Sequence, residues 1–435
     1  MKTFSKALFI ASLLAMTNNT YAVTEISFWH SMSDSLGKHL NEIVDSFNHS
    51  QTDYKIVPSY KGSYLESMDA AIAAYRANKS PDIVQILEAG TATMIYSKGA
   101  IKPIQAMSEE MGNPIKASQF IPVIADYYSD NQGKLIAMPF NSSTPVFYYN
   151  KDLLNKAGID TNRPPRTYQE IREAAQKLKA VGVDCAYTTA WPAWILIENF
   201  GALHNVPYAS KNNGFDGLDT RVNLTQEAFV KHFTLLNEMA KEGSFTYAGS
   251  NDGANKLFAS KQCAMLTASS GARGGFKKDT TLNFGVGYLP YNSEITQHPQ
   301  NTVLGGAALW VFSKKSPEIY KGITAFFHYL AQPEVAAKWH QDTGYVPTTQ
   351  DAFEKTKDSG FYGQNPGSVI SYLQLNMETT QISRGVRLGF LPQIRHFQEL
   401  EMEKIFSQDE TVEEGLTEMN RRTNDLLSRF EKNNR

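Results

Sequence analysis

At 435 residues the chain is too long for one ordinary core, so two domains or lobes are expected. Its 42 Lys and Arg stand against 44 Asp and Glu, a formal charge of -2 with the two signs interleaved, which leaves no broad basic field for nucleic acid. Two cysteines exclude a disulfide framework and any cysteine-rich zinc site.

Residues 1 to 22 have the three parts of an export signal: Lys2 and Lys6, an apolar run from Ala7 to Met16, then Thr20-Tyr21-Ala22. The run is too short for a bilayer anchor, so cleavage after about Ala22 and export of a soluble mature chain are expected. Ile26 to Trp29 reads as a strand, and Leu36, Leu40, Ile43, Val44 and Phe47 keep to one helical face. Tyr54 to Tyr60 is a second strand, and Leu65, Met68, Ile72 and Tyr75 repeat the helical period before the buried strand Ile83 to Leu87. This alternation predicts an α/β fold with a parallel sheet. Open sheets of that kind bind ligands beyond the carboxyl ends of their strands, here His30 and Ser31, Tyr60 to Tyr64, and Glu88 to Thr91.

From Pro139 to Asp152 a small polar segment, Asn141-Ser142-Ser143-Thr144 between two prolines, runs into a buried strand, which reads equally as a crossing between lobes or as an ordinary strand connection. Tyr168 to Lys179 is helical, and Ala186 to Phe200 is rich in aromatics. Pro192 between Trp191 and Trp194 predicts an irregular and exposed turn. Residues 208 to 220 read as a polar surface loop, and Glu227 to Lys241 as a helix. Small hydroxyls follow the strand Cys263 to Leu266 at Thr267 to Gly271, and Leu304 to Ala307 brings glycines to the start of another strand, Ala308 to Phe312. Helices at Tyr320 to Leu330 and Glu334 to Gln341 precede the tight turn Thr343 to Pro347, and an amphipathic helix closes the chain. Cys185 and Cys263 either pair or lie buried apart, and the sequence decides neither.

Catalytic motifs are missing. Ser269 to Lys278 lacks the spacing of a phosphate loop and reads as an exposed basic turn; the nine histidines form no metal-binding pair, and there is no nucleophile elbow. No catalytic set, metal or cofactor is expected. Aromatic faces, hydroxyls, a few acids and glycine backbone suit the binding of a polar solute.

Four motifs resemble the periplasmic glycerol-3-phosphate-binding proteins of ABC importers, within the larger solute-binding family that includes the maltose-binding type. They are Phe28-Trp29-His30-Ser31-Met32, Tyr60-Lys61-Gly62-Ser63-Tyr64, Pro139 to Pro145, and Leu388-Gly389-Phe390-Leu391-Pro392-Gln393-Ile394-Arg395. The resemblance implies two α/β lobes, joined by hinge crossovers and closing on a ligand in the cleft. Lobe 1 is expected at 23–140 plus about 303–345, and lobe 2 at 141–302 plus about 346–435. It implies ligand contacts at Tyr64, Glu88, Ser143, Trp191, Ser269, Gly306, Tyr345 and Arg395, the last resting on the resemblance alone. It sets Arg395 against the phosphate and Glu88 against the glycerol hydroxyls. The implied function is a non-enzymatic receptor for sn-glycerol 3-phosphate, and for glycerophosphodiesters, that serves membrane permease subunits driven by ATP-binding subunits. A sugar or oligosaccharide receptor of the same fold, or a periplasmic phosphodiesterase or glycosidase, is the alternative. Asn376 to Ser383 lacks the prolines of relatives and Phe390 replaces a polar residue, departures that bear on the fit of bulky diesters.

Overall fold

The computed structural model describes residues 23–435; the expected export segment and its cleavage point lie outside the described residues. Among the described residues ten strands follow in chain order. The first five are β1 (Thr24–His30), β2 (Tyr54–Tyr60), β3 (Ile83–Leu87), β4 (Met138–Ser143) and β5 (Pro145–Asn150). The rest are β6 (Cys185–Thr189), β7 (Phe245–Thr246), β8 (Cys263–Ser269), β9 (Phe284–Gly287) and β10 (Gly305–Val311). They make two five-stranded sheets, in the orders β2-β1-β3-β10-β4 and β7-β6-β8-β5-β9.

The β1, β2 and β3 pairings are parallel, as the strand-helix alternation predicts. β10 is not: it enters from the other sheet and runs antiparallel to both β3 and β4, so the first sheet is mixed. A strand with a neighbour on each side and covered faces must be apolar, and Ala307 to Val311 are all buried. Phe28, Ile86, Trp310 and Phe326 belong to the core around this sheet; Phe147, Tyr187, Met265, Ile394 and Leu416 belong to the core around the other. Each such side chain contributes about 1.5–3 kcal/mol by leaving water.

Thr144 alone separates β4 from β5, so the chain changes sheets at that residue. Its hydroxyl meets that of Thr302, on the segment that returns to β10. Gln374 binds both passages: its Nε2 donates to Thr144 Oγ1 at 3.1 Å and to the Pro145 carbonyl, and its own carbonyl accepts from Thr302 N at 3.3 Å. A third passage lies against them, Val346 N donating to Ser142 O at 2.8 Å.

Three local expectations change. Trp194 is buried, within a π-helical segment Trp194–Asn199, because its ring fills the space left by the missing side chain of Gly305. The 208–220 segment carries buried Tyr208, Asn213 and Phe215; Asn213 Nδ2 donates to Ile382 O at 3.0 Å, and Phe215 packs edge-on against Tyr127. Of the basic residues in that turn only Lys277 and Lys278 are exposed; Arg273 is buried with its Nη2 donating to Asn365 Oδ1 at 2.8 Å. Cys185 and Cys263, opposite each other in β6 and β8, form a disulfide.

Candidate functional site

Strand ends and helix starts deliver the polar groups. Helix Tyr64–Arg76 begins directly after β2 because Ser63 caps it: Glu66 N donates to Ser63 Oγ at 3.3 Å and Ser63 N to Glu66 Oε2 at 2.7 Å. That cap fixes Tyr64 in the first turn, and its hydroxyl accepts from Asn141 Nδ2 at 2.9 Å. Tyr345 lies beside both, and burial lifts the phenols of Tyr64 and Tyr345 above their ordinary pKa.

Asn141 and Ser143 belong to β4, and Gly306 crosses β4 next to them. Its φ is +86°, and an added Cβ would strike the Asn141 carbonyl and come within 3.2 Å of Ser143 N. Only glycine suits that conformation and that approach. Across the crossing, Ser269 at the end of β8 pairs with Pro145, and its Oγ accepts from Gly271 N at 3.2 Å. Gly271 leaves room for the Tyr345 ring, whose Cε1 would lie 2.7 Å from a Cβ there. Tyr64, Ser143, Ser269, Gly306 and Tyr345 thus form one connected patch spanning both sheets.

Beside it stands a charged cluster. Glu88 opens the turn after β3; Arg395 lies near the start of helix Leu391–Ser407, and both are buried. Arg395 Nη2 is 2.6 Å from Glu88 Oε1. The same guanidinium is held by a residue the sequence reading missed, Glu198: Nε donates to Oε1 at 2.6 Å and Nη2 to Oε2 at 2.8 Å. Neither Glu88 oxygen accepts a well-directed hydrogen bond among the described residues, and Arg395 Nη1 has no partner there. Burial pushes the Glu88 carboxyl up to about 7; Arg395 pulls it down and Glu198 pushes it up. Burial works to lower the Arg395 pKa, but Glu198 and Glu88 outweigh it and hold the group well above its ordinary value.

A third buried acid, Glu399, is one turn beyond Arg395, and burial lifts it to about 7 as well. Its Oε2 accepts from Asn251 N at 3.3 Å, while Asn251 O accepts from Trp191 N at 2.5 Å. Trp191 is therefore tied to this cluster through its backbone, in a left-handed conformation of φ 50° that a non-glycine residue holds only under constraint. Phe390 does not join the site: its ring meets Phe430 edge-on at 5.0 Å. Glu198 left one signal in the sequence, a single acid inside the apolar run from Trp194 to Phe200.

A separate cavity of about 370 Å³, lined by Tyr96, Trp310, Phe215 and Arg387 among others, includes none of the eight expected contacts. Its one buried cation, Arg387, gives Nη2 to the backbone carbonyls of Tyr127 and Ser129. The patch and charged cluster offer more groups that a polar solute needs, so the site is placed there.

Comparison with known proteins agrees in family and in fold. Residues 42–366 match the family described as bacterial extracellular solute-binding protein. The chain is 47% identical over 98% of its length, and 97% of the relative's, to the sn-glycerol-3-phosphate-binding periplasmic protein UgpB of Yersinia pestis. It is 46% identical to the protein of the same name in Salmonella typhi, covering 98% of each chain. Among solved structures it superposes on UgpB from Mycobacterium tuberculosis, in complex with glycerophosphocholine, with a TM-score of 0.79 at 22% identity, covering 94% of this chain and 99% of that one. It also superposes on the cyclic α-maltosyl-1,6-maltose binding protein of Arthrobacter globiformis, with a TM-score of 0.74 at 18% identity, covering 94% and 100%. At such identities the structural likeness is one of fold: two α/β sheets of the maltose-binding type.

Proposed function

The chain belongs to the family of bacterial extracellular solute-binding proteins, and from that premise we propose that it is a periplasmic receptor for sn-glycerol 3-phosphate and glycerophosphodiesters. It is exported by cleavage after about Ala22, acts without catalysis, and delivers its ligand to the permease subunits of an ABC importer. The two sheets are the cores of two lobes, hinged where Thr144, Thr302 and Gln374 meet, and the ligand shifts them toward closure.

The observation that carries this reading is the pairing of a neutral donor patch with a carboxylate-guanidinium pair on one spot between the sheets. A phosphate takes hydrogen bonds well from hydroxyls and backbone N–H, and Tyr64, Ser143, Ser269, Tyr345 and the Gly306 backbone present them. Vicinal hydroxyls need an acceptor and a donor side by side, which Glu88 and Arg395 provide; Trp191 covers the carbons. The sequence expectation set Arg395 against the phosphate. Its charge is already opposed by Glu88 and Glu198, so the opposite orientation is favoured, with glycerol at Arg395 and phosphate on the neutral patch.

Calorimetry on the refolded, ligand-free protein tests the function: binding heat with glycerol 3-phosphate and none with maltose is expected. Heat with maltose alone, or release of choline from glycerophosphocholine, would overturn it.

A further inference from the structure

We propose that Glu198 is the positioning residue that holds Arg395 for the ligand, and that the cluster it completes takes up a proton when the phosphorylated ligand binds. The inference deepens the reading above and rests on it. Glu198 occupies Nε and one side of Nη2, and Glu88 stands beside Nη2 as well, so the guanidinium is clamped and Nη1 alone has no partner among the described residues. Glu198 is itself fixed by the π-helical segment, where Asn199 Nδ2 donates to Trp194 O at 3.0 Å and Asn199 Oδ1 accepts from Val303 N at 2.9 Å. That links the clamp to the segment returning to the first sheet.

Glu88, Glu198 and Glu399 are each 3 to 4% exposed and surround one guanidinium. The ionisable groups that act on Glu88 or are acted on by it come from every element packed there. They are Tyr64 of helix Tyr64–Arg76, Tyr127 and Tyr128 at the end of helix Pro122–Tyr127, Glu198, and Arg395. Glu399 faces Arg395 from the same helix. Burial keeps the three tyrosines neutral. Arg395 is the only cation within ion-pair distance of Glu88 among the described residues.

A phosphate monoester with a charge near −2 entering beside this acid-rich cluster adds repulsion that Arg395, already faced by the acids around it, does not offset. Glu88 is the carboxylate without a well-directed hydrogen bond, so it is the group that yields. The proton comes from solvent, makes the complex one unit less negative, and gives Glu88 an O–H donor beside the carbonyl oxygen that still accepts from a glycerol hydroxyl. Glu198 keeps its two hydrogen bonds to the guanidinium.

Calorimetric titration of the mature chain with glycerol 3-phosphate near pH 7.5, in two buffers of different ionisation enthalpy, reads the proton directly. The expected result is uptake of about half to three quarters of a proton per ligand in the wild type, since a carboxyl at about 7 is already partly protonated, and near none in Glu88→Gln. Glu198→Gln should bind roughly ten- to hundredfold more weakly; Glu198→Asp, which keeps the charge if the former folds poorly, should bind between the two and keep the uptake. Equal heats in both buffers for a wild type that binds, or uptake undiminished in Glu88→Gln, would overturn the proton step. Wild-type affinity in Glu198→Gln would overturn the positioning role. Absence of all binding heat in the wild type removes the ligand reading itself, and this inference with it.

Discussion

Glu198 and Arg395 face each other across the second core through two parallel hydrogen bonds of 2.6 and 2.8 Å, although neither belongs to the segments where strand ends mark a cleft. A buried guanidinium that loses such a partner is left with uncompensated charge. Glu198→Ala should therefore destabilise the fold by about 3 kcal/mol, and Glu198→Ala with Arg395→Met should recover part of that. Urea unfolding of the two variants checks it.

The orientation of the ligand separates two kinds of variant. Glu88→Ala should cost glycerol 3-phosphate about 1.5–3 kcal/mol, while n-propyl phosphate, which has no hydroxyls, should not be weakened. Ser269→Ala should weaken both alike. Calorimetry with the two ligands decides, and the reverse pattern would put the phosphate at Arg395.

Gly306→Ala asks an L side chain to hold a φ of +86° with its Cβ against the Asn141 carbonyl. The expected cost is about 1–3 kcal/mol of stability, measured by urea unfolding, together with weaker ligand binding.

Acid should loosen the fold through its histidines. His30, His204 and His340 are pushed down by burial to about 4, and His232 is lowered well below its usual value for the same reason. Below about pH 6.5 the unfolded chain binds these protons and the fold does not, so stability falls as the pH drops toward 4. Glu88 and Glu399 act in the opposite sense: raised to about 7, they keep protons in the fold that the unfolded chain has released, and their contribution is lost as pH rises from about 4.5 to 7. Four imidazoles against two carboxylates leave a net rise in stability from pH 5 to 6.5, at most about 3 kcal/mol per pH unit. Unfolding midpoints across that range, with and without His204→Phe, measure it.

Reduction should destabilise the protein by about 2–4 kcal/mol, since the Cys185–Cys263 bond closes a long loop. Unfolding midpoints with and without dithiothreitol should differ in the wild type and coincide in Cys185→Ser/Cys263→Ser.

The sequence disclosed those parts of the fold and site that depend on local pattern. Tyr64, Glu88, Ser143, Ser269 and Gly306 belong to stretches where a strand period gives way to small or polar residues, and that break singles out the stretch, while the individual residues come from the resemblance. Arg395 sits inside a helix whose charged and apolar residues carry no such break, so only the motif around it pointed there. Glu198 escaped the sequence reading because its partner is 197 residues away. The cysteine pair was undecidable for a related reason: β6 and β8 are neighbours in the sheet but not in the chain. The antiparallel β10 likewise has no local signature, since direction is set by where the chain re-enters.

That re-entry governs how the protein can be made. β10 lies between β3 and β4, yet it is encoded after every strand of the other sheet. Until residue 311 has been synthesised, the first sheet lacks the strand that joins its two sides. Pairings this distant form slowly. The first sheet is therefore completed only when nearly three quarters of the chain's length is available.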